Sequence, residues 1–454
     1  PAQKLHVDGT LRTSGKATFM AGTLPTNNGI RVNDTLELPQ QAGDPTNVSN
    51  AGVLWVKNTS PTTLHFMASD GTDTDLTAGG GGTFGGSISS GKLAIGTGTD
   101  TIGNFVDALT ESNSIYIGSN PASTTSSADN NVALGISTLD AVTTGDRNTA
   151  VGFRAATAVT TAADNTAIGK DAMFANTTSS FSTAVGSQAM GTLDGASTST
   201  AVGYLSMGAH SGDNNVGVGA YSLRTGSNAY NVAVGVSAMT KVSGGAGGVA
   251  VGYQSGYHPT GNYNTWLGYN AGFGTAAGGA YNNVGVGREA LMVVSSGYEN
   301  TAVGYQAMKD STTGFLNVAI GAYAATGNTT GQENVAIGHS ALQENQEGDD
   351  IVAVGRYALY NMNPSAGAGD TVGVGSSAGY STTTGVQNVF IGRRAGYSNT
   401  TGSNAVMIGR EAGYNSTLGG ENTYIGMRTG YTNTQGEENT FVGIWVNRNA
   451  KRKR

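Results

Sequence analysis

The chain has 454 residues, of which 72 are glycine, 8 are proline and none is cysteine; 12 % are charged, with a formal net charge of −7. Glycine at 72/454 is about twice its usual share, which argues against ordinary globular domains, and without a Gly-X-Y triplet or much proline the chain is not collagen. The absence of cysteine excludes disulfides and thiolate metal sites, no apolar run reaches the ~18 residues of a membrane helix, and the acidity speaks against nucleic-acid binding.

In chain order, the first predicted element is a hairpin. Residues 52–58 (Gly-Val-Leu-Trp-Val-Lys-Asn) and 63–68 (Thr-Leu-His-Phe-Met-Ala) alternate apolar and polar around a Thr-Ser-Pro-Thr turn. They belong to an N-terminal β-rich segment over 1–77. The chain opens at Pro1 with neither an initiator Met nor a signal-peptide core, so a processed or partial chain is expected. Residues 70–75 (Asp-Gly-Thr-Asp-Thr-Asp) lack the ligand order of an EF-hand and read as a solvated turn. A Gly-rich stretch, 78–92, reads as a linker. A repeat region follows over 93–446, and a basic tail over 447–454 reads as a loose end.

The repeat region keeps a beat of seventeen residues. Its phrase is Asn or a small residue, Thr or Val, Ala or Gly, Val or Ile, then Gly, as in 148–152 (Asn-Thr-Ala-Val-Gly) and 334–338 (Asn-Val-Ala-Ile-Gly). The motif glycines stand at 118, 135, 152, 169, 186, 203, 219, 235, 252, 268, 287, 304, 321, 338, 355, 375, 392, 409, 426 and 443. Fourteen of the nineteen spacings are 17, three are 16, and single spacings of 19 and 20 read as small loop insertions. Positions below are counted from the motif glycine of each unit.

Position −1 is aliphatic throughout (Ile117, Leu134, Val151 and onward to Val442), position −3 is a strand former, and Ala or Gly usually stands between them. This alternation predicts a short strand whose aliphatic face is buried and whose Ala row is free to form a seam. On that reading, Val303→Asp buries an unpaired charge and destroys the packing. Position +3 is small, and position +4 is either Leu or Met, or a Gly followed by an aromatic, as in Gly396 and Tyr397. The alternative forms suggest one large core side chain supplied from either +4 or +5. A glycine at −7 (145, 297, 314, 331 among others) marks a turn expected to need positive φ.

Asn stands at −4 in thirteen of twenty units, including Asn148, Asn231, Asn300, Asn317 and Asn334. In stacked coils these amides either bond to one another about 4.8 Å apart or merely favour the turn. With motif glycines such as Gly135, Gly152, Gly169, Gly235, Gly304, Gly321, Gly338, Gly392 and Gly426, they are the structural repeat residues. The whole pattern predicts an all-β protein, an elongated β-solenoid of about twenty 17-residue coils. Its thin core favours lateral association.

Residues 300–308 (Asn-Thr-Ala-Val-Gly-Tyr-Gln-Ala-Met) and their siblings resemble the repeat shafts of phage and viral tail-fibre proteins, and the head repeats of trimeric autotransporter adhesins. The likeness covers about 115–445, and the seventeen-residue beat favours the fibre group. Residues 1–9 (Pro-Ala-Gln-Lys-Leu-His-Val-Asp-Gly) are similar to a junction ahead of such shafts. The resemblance implies a homotrimer that partners with itself, on a virion surface or extracellular, serving in host attachment to a surface glycan or protein. The alternatives it leaves are a bacterial or archaeal surface adhesin or filament subunit, and a glycan-degrading spike.

No grouping of residues points to catalysis, a metal or a cofactor. Glycine runs such as 245–252 are explained by the repeat rather than by a nucleotide loop. His6, His65, His210, His258 and His339 occupy unrelated repeat positions and read as isolated surface side chains. Glu344, Glu347, Asp349 and Asp350 form an acidic patch, the one candidate for glycosidase-like carboxylates. Phe153, Tyr204, Tyr253, Tyr269 and Tyr305, at +1, are candidates either for gripping sugar rings or for filling a seam between chains.

Overall fold

The computed structural model describes residues 40–41, 53–57, 63–67, 73–75, 108–111, 113–118 and 127–446, less 193–195, 243, 259–260 and 275–277. The expected junction at 1–9, the linker at 78–92 and the tail at 447–454 lie outside the described residues. The chain divides into two compact units, Pro1–Ser90 with Ala94–Thr101, and Gly91–Leu93 with Ile102–Arg454.

In the first unit, Gln40–Gln41, Val53–Lys57, Thr63–Met67 and Asp73–Asp75 form a four-stranded sheet in that order. The predicted hairpin is present, with Val53 opposite Met67 and Lys57 opposite Thr63. Asp73–Asp75, expected in a solvated turn, instead pairs antiparallel with Thr63–Met67. Thr and alternate Asp leave that run free to join a sheet edge.

The second unit is a parallel β-solenoid. Twenty short strands, from Ser114–Ile117 to Thr440–Val442, form one ladder in which each strand pairs in register with its equivalent in the next coil. At about 4.8 Å per rung the ladder is about 90 Å long. Among the described residues there is no α-helix. A two-stranded side ladder, Ala209–His210 on Thr225–Gly226, runs beside it. At the first edge, Ala108–Glu111 folds back antiparallel on Ser114–Ile117, which covers backbone groups that would otherwise recruit another strand.

Hydrogen bonds continue past the strands around each coil. In the coil of Gly152, its N–H donates to Leu134 O (2.8 Å), Arg154 N–H to Ile136 O (2.9 Å), Ala156 N–H to Ala172 O (2.8 Å) and Asp164 N–H to Asp146 O (3.0 Å). Every coil is thereby bonded to the coils above and below on several sides, the quasi-one-dimensional arrangement of repeat proteins.

The interior overturns the expected assignment of faces. The strand-centre residues are inside: Ala150, Ala184, Ala302 and Ala336 are fully buried, while the aliphatics flanking them face outward. The coil is too narrow for two rows of Val or Ile. What fits is one methyl from the strand opposite one long side chain from +4, such as Leu139, Met173, Met308 or Leu342, all buried. Val303 is therefore an outward residue, not a core residue.

The volume exchange also differs from expectation. Tyr380, Tyr397, Tyr414 and Tyr431, at +5, remain half-exposed. The space left by Gly at +4 is filled from the strand centre, where Trp266, Phe390, Met407 and Tyr424 replace Ala and are buried. A Cβ on Gly396 would stand 2.4 Å from the Phe390 ring, one on Gly379 2.6 Å from it, and one on Gly413 2.2 Å from Met407 Sδ. Each ring thus lies over the glycines of two adjacent coils.

Glycine at −7 does not carry positive φ; the left-handed residue lies two places later, as Arg147 (φ 54°), Glu299 (φ 55°) and Glu333 (φ 57°). The −7 glycine is needed because the coils stack closely there: a Cβ on Gly145 would stand 2.3 Å from Ala162 O.

Candidate functional site

The repeat asparagines lie inside the coil, while the motif glycines are half-exposed where successive coils stack. Motif glycines combine a φ of 141° at Gly304 with direct stacking, since a Cβ there would lie 2.4 Å from Gly321 O. The same contact, at 2.4 to 2.8 Å, recurs at Gly135, Gly152, Gly169, Gly235, Gly321, Gly338 and Gly392, and Gly426 meets Gly443 O in the same way. No L-residue satisfies both demands.

The buried −4 asparagines form ladders that are interrupted where Gly248, Ile351 or Ala405 takes the place. Asn300 Oδ1 accepts from the N–H of Asn317 (3.0 Å) and from its Nδ2 (3.0 Å), while Asn300 Nδ2 donates to Asn283 Oδ1 (3.1 Å) and Gly314 O (2.8 Å). Amide-to-amide bonds also join Asn148 to Asn131 and Asn283 to Asn264. Elsewhere the backbone bond alone runs up the stack: Gly248 N–H donates to Asn231 Oδ1 and Asn334 N–H to Asn317 Oδ1. The −7 carbonyl is the second partner of each amide, including Asn231 to Gly245 O and Asn334 to Gly348 O. That carbonyl belongs to the following coil, and the small residue at −7 is set by close stacking there: a Cβ on Gly314 would stand 2.6 Å from Gly331 O.

A second set of buried amides, at +7, escaped the sequence reading. Asn345 Nδ2 donates to Gly348 O (3.0 Å) and its Oδ1 accepts from Gly348 N–H (3.0 Å), closing the turn; Asn176 does the same at Ser179. Its signal was weak because Val142, Val159, Ser311 and Met362 take the same place.

His210 also stands at +7, and it is buried rather than on the surface. Its Nδ1 accepts from Gly212 N–H (3.2 Å), and burial pushes its pKa down to about 4. His258 is half-buried against Tyr257 and Phe273; burial, aided by the Lys241 charge, lowers its pKa too. His339 is exposed, and the side chains of His6 and His65 lie outside the described residues. In the acidic patch, Asp349 is turned inward and accepts from the N–H groups of Gln332 (2.8 Å) and Gly367 (2.9 Å). It serves the backbone, while Glu344, Glu347 and Asp350 are exposed. Among the described residues no three His, Asp or Glu side chains cluster to hold a metal.

Aromatic rings stack along the shaft. Tyr360, Tyr380, Tyr397, Tyr414 and Tyr431 form a column with centroids 5.0–5.3 Å apart and planes within 13° of parallel. Tyr281, Tyr298 and Phe315 form a second column. Of the +1 aromatics, Tyr253 stacks on Tyr269, while Tyr204 and Tyr305 meet Tyr221 and Tyr323 edge-on. Faces engaged by other rings are not open for sugar stacking, so these rows present edges and hydroxyls outward.

The largest surface feature is the outward face of the ladder. Its two rows, −3 and −1, hold only Ile, Leu, Val and Thr through all twenty strands after the first residue Ser114, with no charge. Ile168 and Ile320 are each 40 % exposed, Leu267 46 %. Two rows over about 90 Å amount to roughly 600–900 Å² of uncharged, mostly aliphatic surface, with Thr at eight of the −3 places. Charge is equally absent from the strand-centre, +3 and +4 positions, so its exclusion alone did not tell the outward rows from the inward ones.

No helix among the described residues is long and apolar enough to cross a membrane. No family model, curated protein or solved structure matches the chain.

Proposed function

We propose that this chain is a non-enzymatic fibre subunit whose solenoid shafts pack side by side on their aliphatic strand faces as a homotrimer, forming a virion fibre that serves in host attachment. The observation that carries the reading is the uncharged outward face. Parallel sheets with aliphatic residues on their outer side are characteristically covered on both faces. Here the chain covers only the inner one, and each coil supplies little more than Ala and one Leu or Met to its own core. The natural cover for a ladder repeating every ~4.8 Å is another ladder with the same repeat. Buried area of this size matches the ~800 Å² per partner of stable interfaces. The number of chains and the attachment role follow from the likeness to fibre shafts.

Sedimentation equilibrium tests the association. The expected mass is three times the 45.7 kDa of one chain; a single-chain mass at micromolar concentration overturns the proposal. Attachment is tested by adding the purified shaft to host cells, where it should compete with virion adsorption.

A further inference from the structure

We infer that the coils of Gly355 to Gly426 carry a binding strip for an anionic polysaccharide whose chain runs along the shaft, arginines taking its carboxylate or sulfate groups and tyrosine hydroxyls its sugar oxygens. This rests on the attachment role proposed above and names the chemistry it recognises.

The strip lies beyond the bend at the motif glycine, off the strand face on which the shafts are proposed to pack. In the five coils of Gly355, Gly375, Gly392, Gly409 and Gly426, positions +1 and +2 hold Arg356, Arg393, Arg394, Arg410 and Arg428, and +5 is Tyr in every one. Four of the five coils carry an arginine, so the charges climb over four rungs, about 19 Å. The single acid on the strip, Glu411, is buried and bonded to Arg428 Nε. The Arg428 guanidinium, with Arg410 and Arg393 close by, holds that carboxyl below its ordinary value. Arg356, Arg393, Arg394 and Arg410 form no ion pair among the described residues. The exposed acids Asp350, Asp370 and Glu421 stand at −5, on the other side of the strand. Earlier in the shaft the same positions are neutralised: Arg154 and Lys170 meet Asp171 at 2.7 and 3.6 Å, and Arg288 meets Glu289 at 3.0 Å.

The tyrosine column borders the arginines directly. Arg394 Cζ lies 5.7 Å from the centre of the Tyr397 ring, and Arg428 Cζ 5.5 Å from that of Tyr431. Stacking occupies the faces of Tyr380, Tyr397, Tyr414 and Tyr431, and their hydroxyls bond to no other described residue. A guanidinium fork matches a carboxylate or sulfate, and a phenol O–H can both donate to and accept from a sugar hydroxyl. Both groups recur at the spacing of the coils, so the ligand they suit is an extended polymer with acid groups at short intervals. Nucleic acid also offers a string of anions, but its bases need open ring faces, and these faces are taken.

Calorimetric titration of the full-length chain with polygalacturonate, dextran sulfate, uncharged dextran and single-stranded DNA tests the inference. Binding of at least one acidic polysaccharide, weakened by salt and absent for dextran, is the expected result, and the preferred polymer tells carboxylate from sulfate. Equal binding of dextran, tighter binding of the DNA, or no binding of either acidic polysaccharide overturns it. Arg393→Ala with Arg410→Ala, both exposed, should lower the affinity about ten- to a hundredfold with an unchanged melting temperature, as charge-assisted contacts are lost. Tyr397→Phe with Tyr414→Phe keeps the stacked rings and should cost about three- to tenfold. Arg224→Ala with Lys241→Ala removes as much charge from exposed positions several coils away and should leave the affinity within about twofold. Unchanged affinity in either strip variant, or an equal loss in the distant one, overturns the inference. A shaft that competes with virion adsorption yet binds no acidic polysaccharide overturns the inference alone; one that binds the polymer but does not compete overturns the attachment role instead.

Discussion

The coil around Met308 and the coil around Gly396 enclose a similar width by opposite means. In the first, a Met at +4 in the left-handed region (φ 48°) reaches toward Ala302 on the strand. In the second, Gly396 (φ 59°) leaves the space to Phe390 from the strand itself. A side chain in the left-handed region costs roughly 1 kcal/mol, which glycine avoids. The last coils therefore relieve backbone strain and place an aromatic inside, at the expense of a fixed pairing between ring and glycine. The lesson is that the 17-residue coil sets a volume, and either wall may supply it.

The largest effects should come from breaking that pairing. Phe390→Ala leaves both Gly379 and Gly396 facing a void and should cost about 3–5 kcal/mol by denaturant unfolding. Ala302→Phe overpacks the Met308 coil by about 3 kcal/mol, and adding Met308→Gly should recover most of the loss. Strict additivity in that double-mutant cycle would show that the two positions do not share one space.

Asn300→Ala is next. It removes the acceptor of Asn317 N–H and the donor to Gly314 O inside the coil, so a loss of about 3 kcal/mol is expected from two buried unsatisfied groups. Amide exchange should speed up around residues 283–331 before it does at the ends, because coils depend on their neighbours.

His210 gives a smaller, pH-dependent effect. Its folded-state pKa of about 4 lies below its ordinary value of 6.5, so above 6.5 both folded and unfolded chains hold it neutral. As pH falls from 6.5 to 4 the unfolded chain takes up the proton first, and stability declines until the folded pKa is reached. His210→Val, which copies Val142 and Val159 at the same place, should flatten the melting temperature over that window. An unchanged slope would mean that the ring is hydrated.

Val303→Asp should have the least effect on a single chain, within about 0.5 kcal/mol, yet abolish association. Sedimentation read beside chemical unfolding separates the two.

The beat, the strands and the glycine and asparagine rows were legible because each position answers a repeated local demand. Which face points inward was not legible, because alternation fixes two sets of side chains without saying which is enclosed. Val303 outranks Ala302 in apolar size, and only the narrowness of the coil reverses the choice. The deciding clue was a correlation between Trp266, Phe390, Met407 and Tyr424 on the strand and glycine at +4 in the same units. Rows such as Tyr380 and Tyr397 misled for a related reason: a large residue beside a glycine looks like core until the space proves to be filled from elsewhere.

Thiol reactivity of Ala302→Cys and Val303→Cys chains, measured across a dilution series with the mass followed in parallel, addresses the central claim most directly. The Ala302→Cys thiol should be protected at every concentration, and the Val303→Cys thiol should react freely in single chains and become protected as the oligomer forms. A reactive thiol at 302, or one at 303 that is protected while the chain sediments alone, would contradict the account.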